Sequence, residues 1–427
     1  MHVNRIFIQI AAYRDPELRK TIEDCLKNAD NPDNLRFGIC WQHHYKDEWD
    51  NLDEYKNDPR FNIIDVDSRK GKGTCWARHM IQHLYCEEEY TLAIDSHMRF
   101  VPGWDTKCIN MIKQLQAKGH AKPLLTAYTT SFNPDNDPHG REKDPWKMVF
   151  DRFIPEGAIF FLPTSMTGDE LHEPIPSRFY SAHFCFTLGE MCHEVPHDPN
   201  YYFHGEEISI AVRAFTHGYD LFHPNEIICY HEYTRKGRPH HWDDCNKADG
   251  RRHDWWEVNE MCHKRNRILF GMDGEDPKQI NFGEFGFGTV RTVEEYEKYA
   301  GINFKLRSVT QDVIDNVLPT FDYHNQPDKE LFRNWCVDFF IPRDMIDSTK
   351  QYTFWYSAVQ DADGNELARM DVFGTKLQEI IDCTQDTYAY RWPIGVYSNV
   401  KPAKYVVWPM DKDGNWLEKI EKDINPV

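Results

Sequence analysis

The sequence predicts an α/β protein with a mainly parallel sheet, followed by a small C-terminal β-sandwich. In the first third of the chain, short apolar runs alternate with segments of helical period, which is the pattern of βαβ units. From about residue 320, apolar and polar residues alternate instead, and turns such as DADGNE and DKDGNW separate the segments. We therefore place a larger α/β domain at residues 1–305 and a β-rich accessory domain at residues 306–427.

The predicted elements follow one another in a regular order. The strands expected in the first third are RIFIQIAA, LRFGICWQ, FNIIDV and YTLAID, and the helices are PELRKTIEDCLKNA and TCWARHMIQHLYC. Further on, RFYSAHFCFTLGEM and EIICYHEY predict strands, and YYFHGEEISIAVRAFTHGYD predicts a loop leading into a helix. Residues 131–178 indicate long loops with one strand near 157–162. Ligands of such sheets bind beyond the carboxyl ends of the strands, so polar residues there are the functional candidates.

The composition indicates a folded, acidic protein. Hydrophobic residues make up 40% and aromatic residues 14% of the chain, which excludes a disordered protein. The formal net charge of -19 argues against a broad basic surface for nucleic acid. The first apolar run is too short for a membrane span, and the twelve cysteines include no CxxC pair. We expect a cytoplasmic protein with mostly buried thiols and no membrane partner.

Asp95-Ser96-His97 is the strongest candidate for a site. These residues follow an apolar strand, and in extended backbone the carboxylate and the imidazole lie on the same side. Such a mixed oxygen and nitrogen pair suits Mn²⁺ or a similar divalent ion, whereas a strand-end Asp can also simply cap a turn. His231, at the end of the apolar run EIICY, is either a third ligand or an ordinary strand-end histidine.

Two adjacent acids begin a later predicted helix. Glu206 and Glu207 follow Gly205 and occupy the first helical turn, where the helix dipole stabilises carboxylates. The same position would also let one of them orient an acceptor hydroxyl if it faces a metal site. The sequence leaves open which of the two does so.

Basic residues and glycines surround the expected crevice. Gly71 and Gly73 precede the helix that begins near Thr74, and a flexible basic turn at a helix N-terminus suits a diphosphate. The basic residues are Arg14, Arg69, Lys72 and Arg78, with Arg235 and Lys236 after the later block. A Walker loop is absent and no GxGxxG follows the first strand, which argues against nucleotide hydrolases and dinucleotide enzymes.

Several motifs together resemble those of a known family. IAAYRD, GKGTCWARH, AIDSHMRFVPGWD, FHGEEISIAVRAFTHGYDLFHP and YHEYTR are similar to motifs of the cytoplasmic Skp1-type N-acetylglucosaminyltransferases and their bacterial and viral relatives. The resemblance covers roughly residues 5–305. It implies a GT-A fold, a UDP-sugar donor such as UDP-GlcNAc, Mn²⁺ (or Mg²⁺), and transfer with retention at the anomeric carbon.

The resemblance also implies roles for individual residues. Asp95 and His97 would hold the metal with His231 as third ligand, and Glu206 or Glu207 would lie near the acceptor. The residues expected on the nucleotide-sugar side are Arg14, Gln42, Arg69, Lys72, Arg78, Asp95 and Ser96. The motifs do not specify the acceptor, which can be a protein, a glycan or a modified nucleobase of DNA, and they do not specify the oligomeric state.

Two other classes of protein fit parts of the pattern. A non-catalytic carbohydrate-binding protein could keep this fold and use the C-terminal sandwich. A metal hydrolase could use Asp95, His97 and His231 to activate water, although no HExxH motif supports it.

Overall fold

The structure is a computed structural model that describes residues 2–234, 237–347, 349–383 and 388–424. Its strands are β1 (His2–Tyr13), β2 (Leu35–His43), β3 (Phe61–Asp67), β4 (Glu88–Asp95), β5 (Met98–Phe100), β6 (Lys122–Thr126), β7 (Thr130–Ser131), β8 (Trp146–Phe153), β9 (Ile159–Ser165), β10 (Ile175–Pro176), β11 (Phe184–Leu188), β12 (Tyr219–His223), β13 (Cys229–His231), β14 (Ile302–Asn303), β15 (Ser308–Thr310), β16 (Leu331–Pro342), β17 (Tyr352–Gln360), β18 (Glu366–Arg369), β19 (Val372–Phe373), β20 (Ala389–Tyr397), β21 (Lys404–Asp411) and β22 (Ile420–Asp423). Its α-helices are α1 (Leu18–Asn28), α2 (Thr74–Gln82), α3 (Trp104–Ala117), α4 (Met191–Glu194), α5 (Glu206–Thr216), α6 (Trp255–Phe270), α7 (Val293–Ala300), α8 (Gln311–Ile314) and α9 (Gly374–Asp382).

An eight-stranded sheet forms the centre of the first 300 residues. Its strand order is β10-β12-β6-β11-β4-β1-β2-β3. Strands β3, β2, β1 and β4 are parallel neighbours, as are β12 and β6, whereas β11 runs antiparallel to both β4 and β6. Helix α1 connects β1 to β2, and α2 connects β3 to β4. The predicted α/β class with a mainly parallel sheet is confirmed.

The local sequence explains why the predicted elements form. Ile6, Ile8 and Ile10 of β1 are buried, and so is Phe7 on the opposite face, so the strand is covered on both sides as its unbroken apolar run requires. Helix α1 buries its positions 18, 21, 22 and 25, the spacing of one helical face.

The sheet brings several strand ends to one edge. Residues 11 and 95 are register partners in β1 and β4, and residues 13 and 42 are partners in β1 and β2. A small second sheet, ordered β5-β13-β7, pairs His231 with Met98, the residue that follows His97. Positions 95, 97 and 231 therefore converge although 134 residues separate the last two in sequence.

Residues 131–178 contain more regular structure than the sequence predicts. Strand β9 agrees with the strand expected near 157–162, but β8 pairs with it as an antiparallel hairpin. The prediction of loops here is wrong for β8, which buries Met148, Phe150 and Phe153. The pairing shifts register between Phe150 and Arg152, and this irregularity breaks the apolar alternation that identifies a strand.

Two antiparallel sheets dominate the C-terminal part. One has the order β14-β15-β16-β20, and the other has the order β18-β17-β21-β22 with β19 paired to β17. Side chains of both sheets, including Phe339, Trp355 and Val407, form one core, as in a β-sandwich. The domain boundary at 305/306 stays a prediction, and β14 and β15 on its two sides are paired to each other.

Two expectations from composition concern cysteines and membranes. Cysteine side chains are mostly buried, and no disulfide joins two of them among the described residues. Within the same part of the chain, no helix combines the length and apolarity that a membrane crossing needs.

Candidate active site

A cavity of about 330 Å³ opens at the carboxyl ends of β1 and β4. The start of α2, the start of α5 and the segment 238–242 form its walls. Gly73 has a φ of 109° at the start of α2, a backbone conformation that favours glycine, and Tyr202 fills the space where a side chain would lie. Of the sequence-predicted residues, those lining the cavity are Arg78, Asp95, Ser96, His97, Glu206 and Glu207.

Asp95 lies between a cation and two imidazoles. Its Oδ1 accepts a hydrogen bond from Arg78 Nη2 at 2.9 Å, and its Oδ2 lies 3.2 Å from His231 Nε2 and 3.8 Å from His97 Nε2. Burial alone would raise the pKa of this carboxyl. The hydrogen bond with His231 and the charge of Arg78 instead hold its pKa well below the ordinary value, so Asp95 is an anion.

His97 is oriented by a buried carboxylate. Its Nδ1 lies 2.7 Å from Asp15 Oδ2, which also accepts the Ser96 hydroxyl at 2.7 Å. Its Nε2 is buried and has no hydrogen-bond partner within the described part of the chain. Metal-binding histidines commonly donate a hydrogen bond from their second ring nitrogen to a carboxylate. The same arrangement here leaves Nε2 of His97 available as a ligand.

His183 joins the cluster and was missed by sequence reasoning. Asp95, His183 and His231 each offer one ligand atom, and these atoms lie within 4.8 Å of one another. The His183 and His231 rings stack with centroids 4.3 Å apart. Burial, together with the neighbouring histidines, lowers the pKa of His231 well below its ordinary value, so this imidazole is neutral and can bind a metal.

The signal for His183 is its place just before β11. Phe184 pairs with Ile94 in the antiparallel register, which puts position 183 beside Asp95. The sequence shows the apolar run of β11 but not its direction. A parallel strand would have placed this histidine at the opposite edge of the sheet.

Glu206 is held in an ion-pair network. Its Oε1 lies 2.8 Å from Arg78 Nη1 and 2.9 Å from His197 Nε2. Burial would raise its pKa, but Arg78 and His197 lower the pKa to about 2. Arg78 thus bridges the carboxylates of Asp95 and Glu206.

Glu207 has a different environment from its neighbour. Its Oε1 accepts the Ala182 backbone N–H at 3.0 Å, and its Oε2 accepts the Tyr128 hydroxyl at 3.3 Å. Burial, with the charge of Glu206, raises its pKa to about 7, and no cation among the described residues forms an ion pair with it. The Tyr128 ring stacks on His183 at 4.8 Å, so Glu207 connects to the histidine cluster through one side chain.

Four residues predicted on the nucleotide side do not line the cavity. Arg14 pairs with Asp47 and Asp244, Gln42 is buried with its Nε2 3.4 Å from Ala12 O, Arg69 pairs with Asp67 and is half exposed, and Lys72 is exposed. Tyr13, beside Arg14, does line it. The sequence could not show that acids already pair with two of them, Arg14 and Arg69.

The segment after His231 closes one side of the cavity. Arg238 lines the cavity, donates to Asp15 Oδ2 at 3.0 Å and pairs with Glu232. Trp242 also lines it, with the His240 ring stacked on it at 4.5 Å. Arg235 and Lys236, which the sequence offered as further cations, lie outside the described residues.

Comparison with known proteins assigns the chain to a family. A family model described as Glycosyltransferase (GlcNAc) matches residues 5–60 and 50–306, which together exceed half of the chain. The protein is therefore a glycosyltransferase. It belongs to the Glycosyltransferase (GlcNAc) family, and this membership together with the mixed α/β sheet agrees with the GT-A fold that the resemblance implies. No curated protein matches the sequence significantly.

Three solved structures are among those to which the chain is similar. GalNAc-T7 with UDP, GalNAc and Mn²⁺ has a TM-score of 0.46 at 11% identity, over 97% of this chain and 68% of that one. TarS 1-349 of S. aureus with UDP has a TM-score of 0.37 at 11% identity, over 71% of each chain. TarS 1-349 of S. aureus with UDP-GlcNAc has a TM-score of 0.34 at 10% identity, over 62% of this chain and 73% of that one.

Proposed function

We propose that the protein transfers a sugar from a UDP-sugar to a hydroxyl acceptor, with a divalent metal and with retention at the anomeric carbon. The observation that carries this proposal is the group formed by Asp95, His183 and His231, whose ligand atoms lie within 4.8 Å of one another at a cavity. We propose GlcNAc as the sugar because the family description names it. The quoted motifs support a relationship with the Skp1-type enzymes and their bacterial and viral relatives. We also propose that the protein acts in the cytoplasm.

The residues at the site fit Mn²⁺ (or Mg²⁺). His97 Nε2 and His231 Nδ1 are buried polar atoms that lack a hydrogen-bond partner within the described residues. Imidazole nitrogens beside one carboxylate favour Mn²⁺ over Mg²⁺, which prefers oxygen ligands alone. Asp95, His97, His183 and His231 would hold the ion, and a bound divalent ion would neutralise charge on the departing diphosphate.

The chain's own residues prepare the site for the two substrates. Asp15 fixes the orientation of His97, and Arg78 fixes that of Asp95. Ser96, on the cavity wall, is our candidate contact for the donor. Arg14, Gln42, Arg69 and Lys72 remain proposals for the outer, nucleotide end, because they flank the residues that line the cavity.

We assign the acceptor side to Glu207 rather than Glu206. Arg78 and His197 already engage Oε1 of Glu206, whereas the donors to Glu207 within the described residues are the neutral Tyr128 hydroxyl and Ala182 backbone N–H. In a front-face retaining reaction the departing phosphate takes the acceptor proton. Glu207 then orients the acceptor hydroxyl, and the acceptor itself stays open among protein, glycan and modified nucleobase.

A donor screen tests the proposal. Purified protein is incubated with Mn²⁺ and each of several UDP-sugars, and released UDP is measured by mass spectrometry. We expect UDP from UDP-GlcNAc with the native protein and none with Asp95→Ala or His97→Ala. Asp371→Ala is the control, because Asp371 pairs with Arg369 in the C-terminal part and does not line the cavity. Full activity of the Asp95→Ala/His97→Ala double variant would refute the proposal.

A further inference from the structure

A second cavity of about 340 Å³ lies between α7 and the segment that leads into β16. It shares no lining residue with the first cavity among the described residues. We propose that this cavity binds a small organic anion through one carboxylate or phosphate group held by Arg178. Its volume is at the lower end of the range for small-molecule sites, so a ligand about the size of one substituted sugar is the class that fits.

Arg178 is a cation with backbone partners only. Its Nε donates to Ala300 O at 2.8 Å, and its Nη2 donates to Val317 O at 2.5 Å. No carboxylate oxygen of the described chain forms an ion pair with it. Burial lowers the pKa of Arg178 to about 10, and the charge of nearby Asp312 only partly offsets this cost of desolvation. A ligand anion would remove that cost.

Three of the four acids that line the cavity are already engaged by other donors, and Glu294 is the fourth. Asp312 pairs with Lys329, and Asp328 lies 3.5 Å from Lys298. Glu297 accepts the Phe304 backbone N–H at 2.8 Å. These local pairings leave Arg178 as the cation whose guanidinium has N–H groups to spare, and a planar guanidinium can hold a carboxylate or a phosphate with two parallel hydrogen bonds.

Thr310 supplies an independent second observation. It lines the cavity, is only 7% exposed, and its Oγ1 has no hydrogen-bond partner within the part of the chain that the structure describes. A buried hydroxyl without a partner is costly, and a polar ligand in the cavity would satisfy it. Arg178 and Thr310 together provide a charged and a neutral donor for one bound anion.

Isothermal titration of the full-length protein tests this site. Glucose 6-phosphate and glucuronate are the two anionic probes, and glucose is the neutral one, in phosphate-free buffer with EDTA. We expect one anion to bind with 1:1 stoichiometry, and the better of the two identifies phosphate or carboxylate as the recognised group. Arg178→Gln should weaken that binding at least ten-fold and Thr310→Val several-fold. Arg141→Gln, which removes a partly buried arginine paired with Asp137, should leave it unchanged.

The outcomes separate this site from the first cavity. Asp95→Ala should bind the anion as the native protein does, whatever its transferase activity, so failure of the proposed reaction does not affect this test. The inference is overturned if neither anion binds, if glucose binds equally well, or if Asp95→Ala abolishes binding. Should Arg178→Gln fail to fold by circular dichroism, native affinity in folded Thr310→Val overturns it as well.

Discussion

Glu207→Gln should make the protein more stable at alkaline pH while it removes the side chain that we assign to the acceptor. The pKa of Glu207 is raised from 4.5 to about 7 by burial, so ionising this carboxyl in the folded state costs on the order of 3 kcal/mol more than in the unfolded chain. Glutamine has nearly the same shape and keeps an oxygen for the Ala182 backbone N–H.

The sign of the effect follows from the order of ionisation. Below pH 4.5 Glu207 is protonated in both states, and its carboxyl imposes no cost on folding. Between pH 4.5 and about 7 the unfolded chain ionises first, so the free energy of unfolding falls as pH rises. Above about pH 7 the full cost is present. Glu207→Gln has no carboxyl to ionise, so the difference in free energy of unfolding between this variant and the native protein should grow in favour of the variant from pH 5 to pH 8.5.

Urea denaturation followed by tryptophan fluorescence measures this difference at the two pH values. Glu206→Gln is the matched control, because the pKa of Glu206 is lowered to about 2 by Arg78 and His197. A lowered pKa contributes stability above pH 4.5, so this neighbouring variant should be less stable than the native protein at pH 8.5. A Glu207→Gln variant that is no more stable than the native protein at pH 8.5 would refute the argument about Glu207.

Three further outcomes follow from the same cluster. Arg78→Met should destabilise the protein by about 3 to 5 kcal/mol in urea denaturation, because it leaves the carboxylates of Asp95 and Glu206 buried without their cation; Mn²⁺ should restore part of this loss, and an unchanged midpoint would contradict it. Asp15→Asn should weaken Mn²⁺ binding roughly 10- to 100-fold in calorimetry by releasing His97, and native affinity would contradict that role. UDP should bind at least ten-fold more weakly in EDTA than with Mn²⁺, and equal affinity would argue against a role for the metal in binding UDP.

The fold was predictable wherever the signal was local. The apolar run of β1 is buried on both faces of the sheet. The buried positions of α1 recur at the spacing of one helical face, so the hydrophobic period in the sequence matches the burial in the structure. Strand β8, the hairpin partner of β9, was not predicted because a register shift between Phe150 and Arg152 breaks its alternation of apolar and polar residues. Helix α9 lies inside the period-two region, where strand patterns on both sides obscure a single short helix.

The site was predictable in part, for a topological reason. Asp95 and His231 could be brought together from sequence because both end apolar strands. The position of His183 depends on β11 running antiparallel to β4, which no local pattern encodes. Arg14 was expected to meet the nucleotide, but its partner Asp244 lies 230 residues away and could not be inferred.

The buried charges around the first cavity favour a divalent cation at this site. Apart from the imidazoles, the ion-paired groups comprise four carboxylates and two guanidiniums, namely Asp15, Asp95, Glu206, Glu232, Arg78 and Arg238. Two negative charges are left over, and a desolvated excess of this kind would repel a diphosphate. A divalent ion would cancel the excess where the unpartnered imidazole nitrogens lie. If the proposed metal binds here, the carboxylates that orient the histidines also supply the negative charge that the ion would offset before a diphosphate binds.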